Sequence, residues 1–412
     1  MHKEYLYIKT EETTLKVQNT SIEAVRKKTI EKNAVRLFDK HKIAIAGSLG
    51  KPDWNALERE AKGNFSLNLK YPYPLSKSTK DHRHYPLNPK MNDHALLDTS
   101  EKILAFLRKS FSGYRFSQSI TRRKTTKQMW NTEDLDLFEE SASLEIGLLL
   151  KDKSSADLFN GFIAYQGRDF NLERFIEFNT HMLTQFNKEV PLPKKKTLPV
   201  FTIQANELMA FLSRSLSAET MHSGSSILAG RLNEEVFNPK INLEINRNPK
   251  FHDVSFFDHE GSTLIEDRIP LVNHGVLKRV FADKASASKY DCSQTASAVG
   301  EYDCVPTLAR RAPLRFQTDS TDIKKALNGE VAILVLMSAG GDFTGSGHFA
   351  APVQVSVLFD GEKIIGKLPE FTMKSHLFRM LGPDYLGTFD ADAFYFGDNA
   401  QIQGYTMTIE PH

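Results

Sequence analysis

Cysteine is almost absent from this chain: there are two, Cys292 and Cys304, in 412 residues. That density supplies no disulfide framework, and without a histidine between them the pair does not have a zinc-ribbon spacing. They read as two free thiols in a reducing compartment. Long apolar runs are also missing. No stretch approaches the ~20 apolar residues that a membrane span needs. The opening segment MHKEYLYIKTEETTLKV has neither the apolar core nor the small-residue cleavage site of a signal peptide, so the cytoplasm is the expected location. An excess of one charge is lacking too. The 53 Lys and Arg face 51 Asp and Glu for a net charge of +2, which calls for neither nucleic acid nor an anionic membrane. The basic triplets Arg26–Lys28, Arg122–Lys124 and Lys194–Lys196 read as solvated turns or linkers. There is no internal repeat of roughly 20–50 residues and no low-complexity tract.

The common active-site signatures are missing as well. The only His-Glu dipeptide is His259-Glu260, and a zinc helix would need a second histidine about one turn later, where Thr263 and Leu264 stand. The dipeptide lies in Phe257-Asp-His-Glu-Gly-Ser262, which reads as a solvated turn. His82, His84 and His94 are the densest histidine cluster, but their polar flanks point to weak metal binding or none. Gly224–Gly230 has no phosphate-loop lysine, and no G-x-G-x-x-G follows a strand, so nucleotide binding is unsupported. No G-x-S-x-G elbow marks a serine nucleophile. The glycines of Gly340–His348 suit tight turns, or the close approach of a bound peptide strand.

What is present is an ordinary globular composition, 40% apolar and 25% charged, in a chain long enough for two or three domains. Alternation predicts strand pieces around Tyr5, Tyr7, Leu15 and Val17, and a hairpin over Val35–Gly47 turning at Asp39–His41. A helix is expected at Trp54–Lys62, capped by Asp53, then a long surface loop over 63–92. Further helices are expected at Glu101–Phe111, capped by Ser100, at Leu172–Phe186 and at Asn206–Met221. Strands are expected at Arg115–Ile120, Ser143–Leu150, Phe162–Gln166, Leu198–Ile203, Val272–Val280, Val331–Met337 and Val353–Phe359, the last ending in an Asp360-Gly361 hairpin. Pro191-Leu-Pro-Lys-Lys-Lys196 marks a boundary. The expected organisation is an N-terminal domain of antiparallel sheet and helices at 1–190, a linker at 191–197 and a strand-rich domain at 198–412, together α+β.

Several segments, in order, resemble the TldD/PmbA (TldE) family: Ala34–Ala44, Ser225–Val236, Phe257–Gly261, Ile269–Lys278, Gly341–Gly345 and Leu358–Glu362. That family is named for peptide maturation and metallopeptidase activity, and the resemblance implies its fold over most of the chain. The TldD branch carries a zinc-binding His-Glu-x-x-x-His helix and a cysteine ligand near the carboxy terminus. Aligned outward from Ser225-Ser226, those helix positions fall near Met209, Ala210 and Arg214, and the cysteine falls around Phe396. No histidine lies in Asn206–Thr220 and no cysteine follows Cys304, so no metal ligand carries over. The chain is closer to the PmbA/TldE branch, which lacks the motif. The resemblance implies a metal-free subunit that binds unfolded or precursor peptide, as a homodimer or as a heterodimer with a TldD-type subunit holding the zinc. A peptidase with non-standard ligands or a non-metal nucleophile is the first alternative. A regulatory binding protein, as the family's older association with DNA gyrase suggests, is the second. Candidate pocket residues are Arg214, Glu219, His222 and His348. Glu219 and His222 are spaced i, i+3 and share a face if the Asn206 helix runs that far.

Overall fold

The computed structural model describes residues 1–412 except 157–159, 204, 252–253, 320, 392–393 and 399. Four long strands build the first half: His2–Gln18, Ser21–Asp39, Tyr114–Asn131 and Leu135–Asp152. They form two antiparallel hairpins that join through His2–Gln18 and Tyr114–Asn131. The expected strand pieces are therefore parts of longer strands. Val17 and Ile120 lie near one end and Leu6 and Met129 near the other, but the middle stretch Thr121–Lys127 is polar throughout, which hides the period of two. The triplets Arg26–Lys28 and Arg122–Lys124 lie within these strands and not in turns. Arg123 and Lys124 pair with Glu12 at 3.1 Å and Glu140 at 2.8 Å.

Lys42–Leu49 and Leu69–Lys70 extend the sheet on one side. The turn at Lys40-His41 has φ of 45° and 64°, the twist-compatible geometry of a two-residue hairpin. On the other side Leu135–Asp152 pairs with Thr79–Tyr85 in parallel and with Gly161–Gly167 in antiparallel fashion. The 63–92 segment is thus more than a loop. Its strand escapes a pattern search because His82 and His84 stay exposed while Asp81 and Arg83 pair with each other at 2.7 Å. Lys42–Leu49 reaches only as far as Lys32, so the outer edge of Ser21–Glu31 has no partner strand among the described residues.

Helices cover the sheet where apolar residues collect. Trp54–Gly63 starts at Asp53, which accepts from the Ala56 N–H at 3.0 Å, and packs Leu57 and Ala61 on Val35 and Leu37. Asp93–Ser110 begins earlier than Glu101 because Asn92 caps it, accepting from the Ala95 N–H at 2.9 Å; Ser100 lies inside the helix, buried. Leu172–Phe186 forms as expected, with Phe175, Met182 and Phe186 inward.

The second half contains an eight-stranded sheet. Within it Ala332–Ser338, Thr197–Ile203, Gln401–Pro411, Phe371–His376 and His348–Phe359 pair in that order. A further pairing of the last with the first closes the ring. Asp360-Gly361 turns the chain into Ile364–Lys367 as expected. A smaller sheet holds Leu243–Asn246, Arg268–Asn273, Val276–Leu277 and, at one end, Leu314–Phe316. The architecture is α+β, dominated by antiparallel strands. One apolar cluster runs from Leu15, Phe116 and Phe186 straight into Phe201, Leu334 and Phe389, so the core continues across 191–197. Among the described residues no helix is long and apolar enough to cross a membrane.

Candidate functional site

The single helix expected over Asn206–Met221 is two helices, Asn206–Ser215 and Ala218–His222. The break comes from backbone pairing with a distant segment. The Ala218 N–H donates to the Phe281 carbonyl at 2.9 Å and the Phe281 N–H to the Leu216 carbonyl at 3.0 Å. Ser217 then caps the second helix, accepting from the Thr220 N–H at 3.2 Å. The four candidate residues are all exposed and fall into two groups. Arg214 lies over the Phe211 ring, 5.4 Å from its centroid, and Phe211 continues through Phe343 to Phe349, the neighbour of His348. Glu219 and His222 share the short helix, where His222 stacks on Tyr290 at 4.6 Å.

A second histidine, His376, meets His348 edge to face at 4.8 Å. Its Nε2 donates to the Ser346 carbonyl at 2.9 Å and its Nδ1 accepts from the Phe378 N–H at 3.3 Å, so neither nitrogen is left for a metal. Where the resemblance places zinc ligands stand a thioether (Met209), a methyl (Ala210) and an exposed guanidinium (Arg214), and that set does not fit zinc. Among the described residues no group of three or more His, Cys, Asp or Glu side chains is placed to hold a metal ion.

The geometry instead centres on Met209. With Asn206 it lines a cavity of about 310 Å³ where the two halves meet. Gln166–Arg168, Lys250, Ala312–Arg315, Asp398, Ala400, Gln401 and Gln403 also line it. Asp398 is held by the Tyr165 hydroxyl and the Asp169 N–H, each at 2.8 Å, and by the Arg168 N–H. Burial and then this carboxylate push the Tyr165 phenol well above its usual range. Burial lowers the Arg315 guanidinium, whose plane lies 4.5 Å from the Phe251 ring centroid. Gln403 is fully buried, and neither its Oε1 nor its Nε2 has a partner among the described residues. None of the four candidate residues lines this cavity. The resemblance aligned ligand positions near Met209, Ala210 and Arg214 and around Phe396, and of these aligned residues Met209 alone lines the cavity.

Phe257–Ser262 is a buried joint and not a solvated turn. Asp258 accepts from the N–H groups of Glu260, Ser262 and Ala298 at 2.8, 2.9 and 3.0 Å. The Tyr71 hydroxyl and the Lys284 N–H donate to the Glu260 carboxylate at 2.9 and 3.0 Å. Arg36, itself paired with Glu4 at 3.0 Å, donates to the His259 carbonyl at 2.6 Å. Gly261 has φ of +68°, and a Cβ there would come within 2.8 Å of Leu135, so the motif's glycine lets the segment seat on the first sheet. Burial, then the charges of Lys127, Arg36, Arg247 and Lys32, hold the His259 imidazole down to about 2, so it is neutral. Burial, then Asp258, raises the Glu260 carboxyl to about 7.

This α+β fold, a long-stranded first sheet clamped on a ring-closed second one, is that of the TldD/PmbA proteins. Residues 200–384 match the family described as the PmbA/TldA metallopeptidase C-terminal domain. TldE from Thermococcus kodakarensis superposes with a TM-score of 0.78 at 16% identity, over 100% of this chain and 97% of that one. A protein from Thermotoga maritima described as a candidate modulator of a DNA gyrase gives 0.76 at 15%, over 99% and 96%. One from Bacteroides thetaiotaomicron with a like description gives 0.75 at 12%, over 100% and 95%. At these identities the likeness shows the fold. No curated protein matches the sequence.

Proposed function

We propose that the chain is a metal-free, peptide-binding subunit in proteolysis or peptide maturation, with the peptide lying in the Met209 cavity. The observation that carries this reading is Gln403. A buried primary amide with both ends unpartnered loses the hydrogen bonds it would make in water. A peptide unit offers the complementary N–H and C=O pair, and because Gln403 is fully buried the side chains over its amide have to move aside to admit it. Leu314–Phe316, the end strand of its sheet, borders the same cavity and suits strand addition. Zinc chemistry would then belong to a TldD-type partner subunit.

The test is peptide titration by calorimetry with a labelled unfolded peptide, on wild type and Gln403→Leu. The variant is expected to be at least as stable, because it removes an unsatisfied amide, yet to bind at least about tenfold more weakly. Equal binding by both proteins sinks the assignment of the cavity. Elemental analysis provides the second arm: about one zinc per tag-free chain would overturn the metal-free reading.

A further inference from the structure

A second cavity, of about 580 Å³, shares no lining residue with the first. Its floor is one face of the first sheet, where strand alternation brings Thr10, Thr125 and Ser141 to the same side. Its wall is Val254–Ser255, His259 and Gly300–Tyr302 of the second half. Lys127, only 9% exposed, also lines the cavity. Its ammonium finds no hydrogen-bond or ion-pair partner among the described residues and stands 4.6 Å from the Phe257 ring centroid. Lys127 and Glu139 are register partners on adjacent strands, so both side chains leave the same face as near neighbours. The Glu139 bonds all go to Oε2, from the Phe256 N–H at 2.9 Å and the Ser255 hydroxyl at 3.3 Å, which leaves Oε1 available.

We infer that Lys127 is a nucleophilic amine that captures a small aldehyde or ketone as an imine in this cavity, with Glu139 as its proton donor. The Lys127 nitrogen lone pair forms the C–N bond and the carbonyl π pair moves to oxygen. That oxygen takes a proton as the nitrogen loses one, giving the carbinolamine. Glu139 then protonates the hydroxyl, water leaves, and the C=N bond closes with loss of the second nitrogen proton, which restores the carboxyl. The sum is amine plus carbonyl to imine plus water, with no change of oxidation state.

The protonation states support this assignment. Burial, then the Arg247 charge, brings the lysine down to about 7, with Arg36 acting the same way and Glu139 and Asp258 opposing. Burial raises the Glu139 carboxyl. Other titratable groups line the cavity: Glu12, Lys28, Lys32 and Arg123 from the sheet, Glu301 and Tyr302 from the wall, and His259, which is neutral. An amine brought down to about 7 opposite a carboxyl that burial pushes up is the pairing that imine formation requires.

The experiment treats the full chain with propanal and cyanoborohydride, which reduces any imine to a stable secondary amine, and maps propylated lysines by mass spectrometry over time. At neutral pH Lys127 is expected to react at least about tenfold faster than the exposed Lys194–Lys196, because far more of its amine is unprotonated. Its rate should level off above pH ~7 while theirs keeps climbing toward their ordinary pKa of ~10.4. Glu139→Gln should slow Lys127 by at least about tenfold and leave the exposed lysines unchanged as an internal control. Reaction at Lys127 no faster than at Lys194–Lys196 in the wild-type chain overturns the proposal, whatever the variant does. Because the cavities are separate, this result and the Gln403 result can fail independently.

Discussion

Single buried charges decide much of how the two halves meet. Arg36 and Glu4 are 1% and 2% exposed, and the Arg36 Nε and the Glu4 Oε2 remain unpaired among the described residues. Arg36→Met strands a buried carboxylate and should cost ~3–5 kcal/mol in urea unfolding, whereas adding Glu4→Leu should recover most of that loss. A double variant no more stable than the single one refutes the account. Lys127 gives a pH signature. Its folded value of about 7 lies below the ordinary lysine value of ~10.4, so the unfolded chain binds the extra proton between them. Wild-type stability should therefore rise relative to Lys127→Met as pH climbs from ~7 to ~10, and a flat difference would contradict the placement of the amine. The role of His259-Glu260 was not legible in the sequence. Its neighbours Arg36 and Tyr71 lie nearly two hundred residues or more away in the chain, and no local pattern reports such burial. The helix that carries Met209 was legible from its apolar period, but nothing in the sequence marked Met209 itself as a cavity residue.

At the scale of elements, local signals held wherever apolar period and cap agreed. Leu172–Phe186 matches at both ends, and the hairpin at Lys40-His41 lies where the turn residues put it. They failed where a polar residue has two uses. Ser100 looks like a cap, but its hydroxyl is buried inside Asp93–Ser110 without a partner among the described residues, while Asn92 takes the capping bond. Asn92→Ala should cost ~1 kcal/mol and Ser100→Ala nothing or a slight gain, read from thermal unfolding. The reverse order would mean that the helix starts at Glu101 after all. The split between Asn206–Ser215 and Ala218–His222 was equally hidden, because it depends on pairing with Phe281.

For the whole molecule, the α+β class followed from the distribution of apolar periods, but the continuity of the core did not. Residues 191–197 read as a linker, yet Phe116 and Phe186 share one cluster with Phe201 and Phe389. Heat should therefore unfold the chain in one calorimetric transition, and residues 1–190 expressed alone should expose that surface and bind a hydrophobic dye. Two well-separated transitions would show independent halves. The closed ring in the second half leaves few strand edges there, while the first sheet keeps a long one at Ser21–Glu31. Glu23, Arg26, Lys27, Lys28 and Glu31 lie along it. A second copy of this edge brought alongside would have to desolvate those charges, so the same triplet that looked like a surface turn guards the chain against stacking into fibres at high concentration.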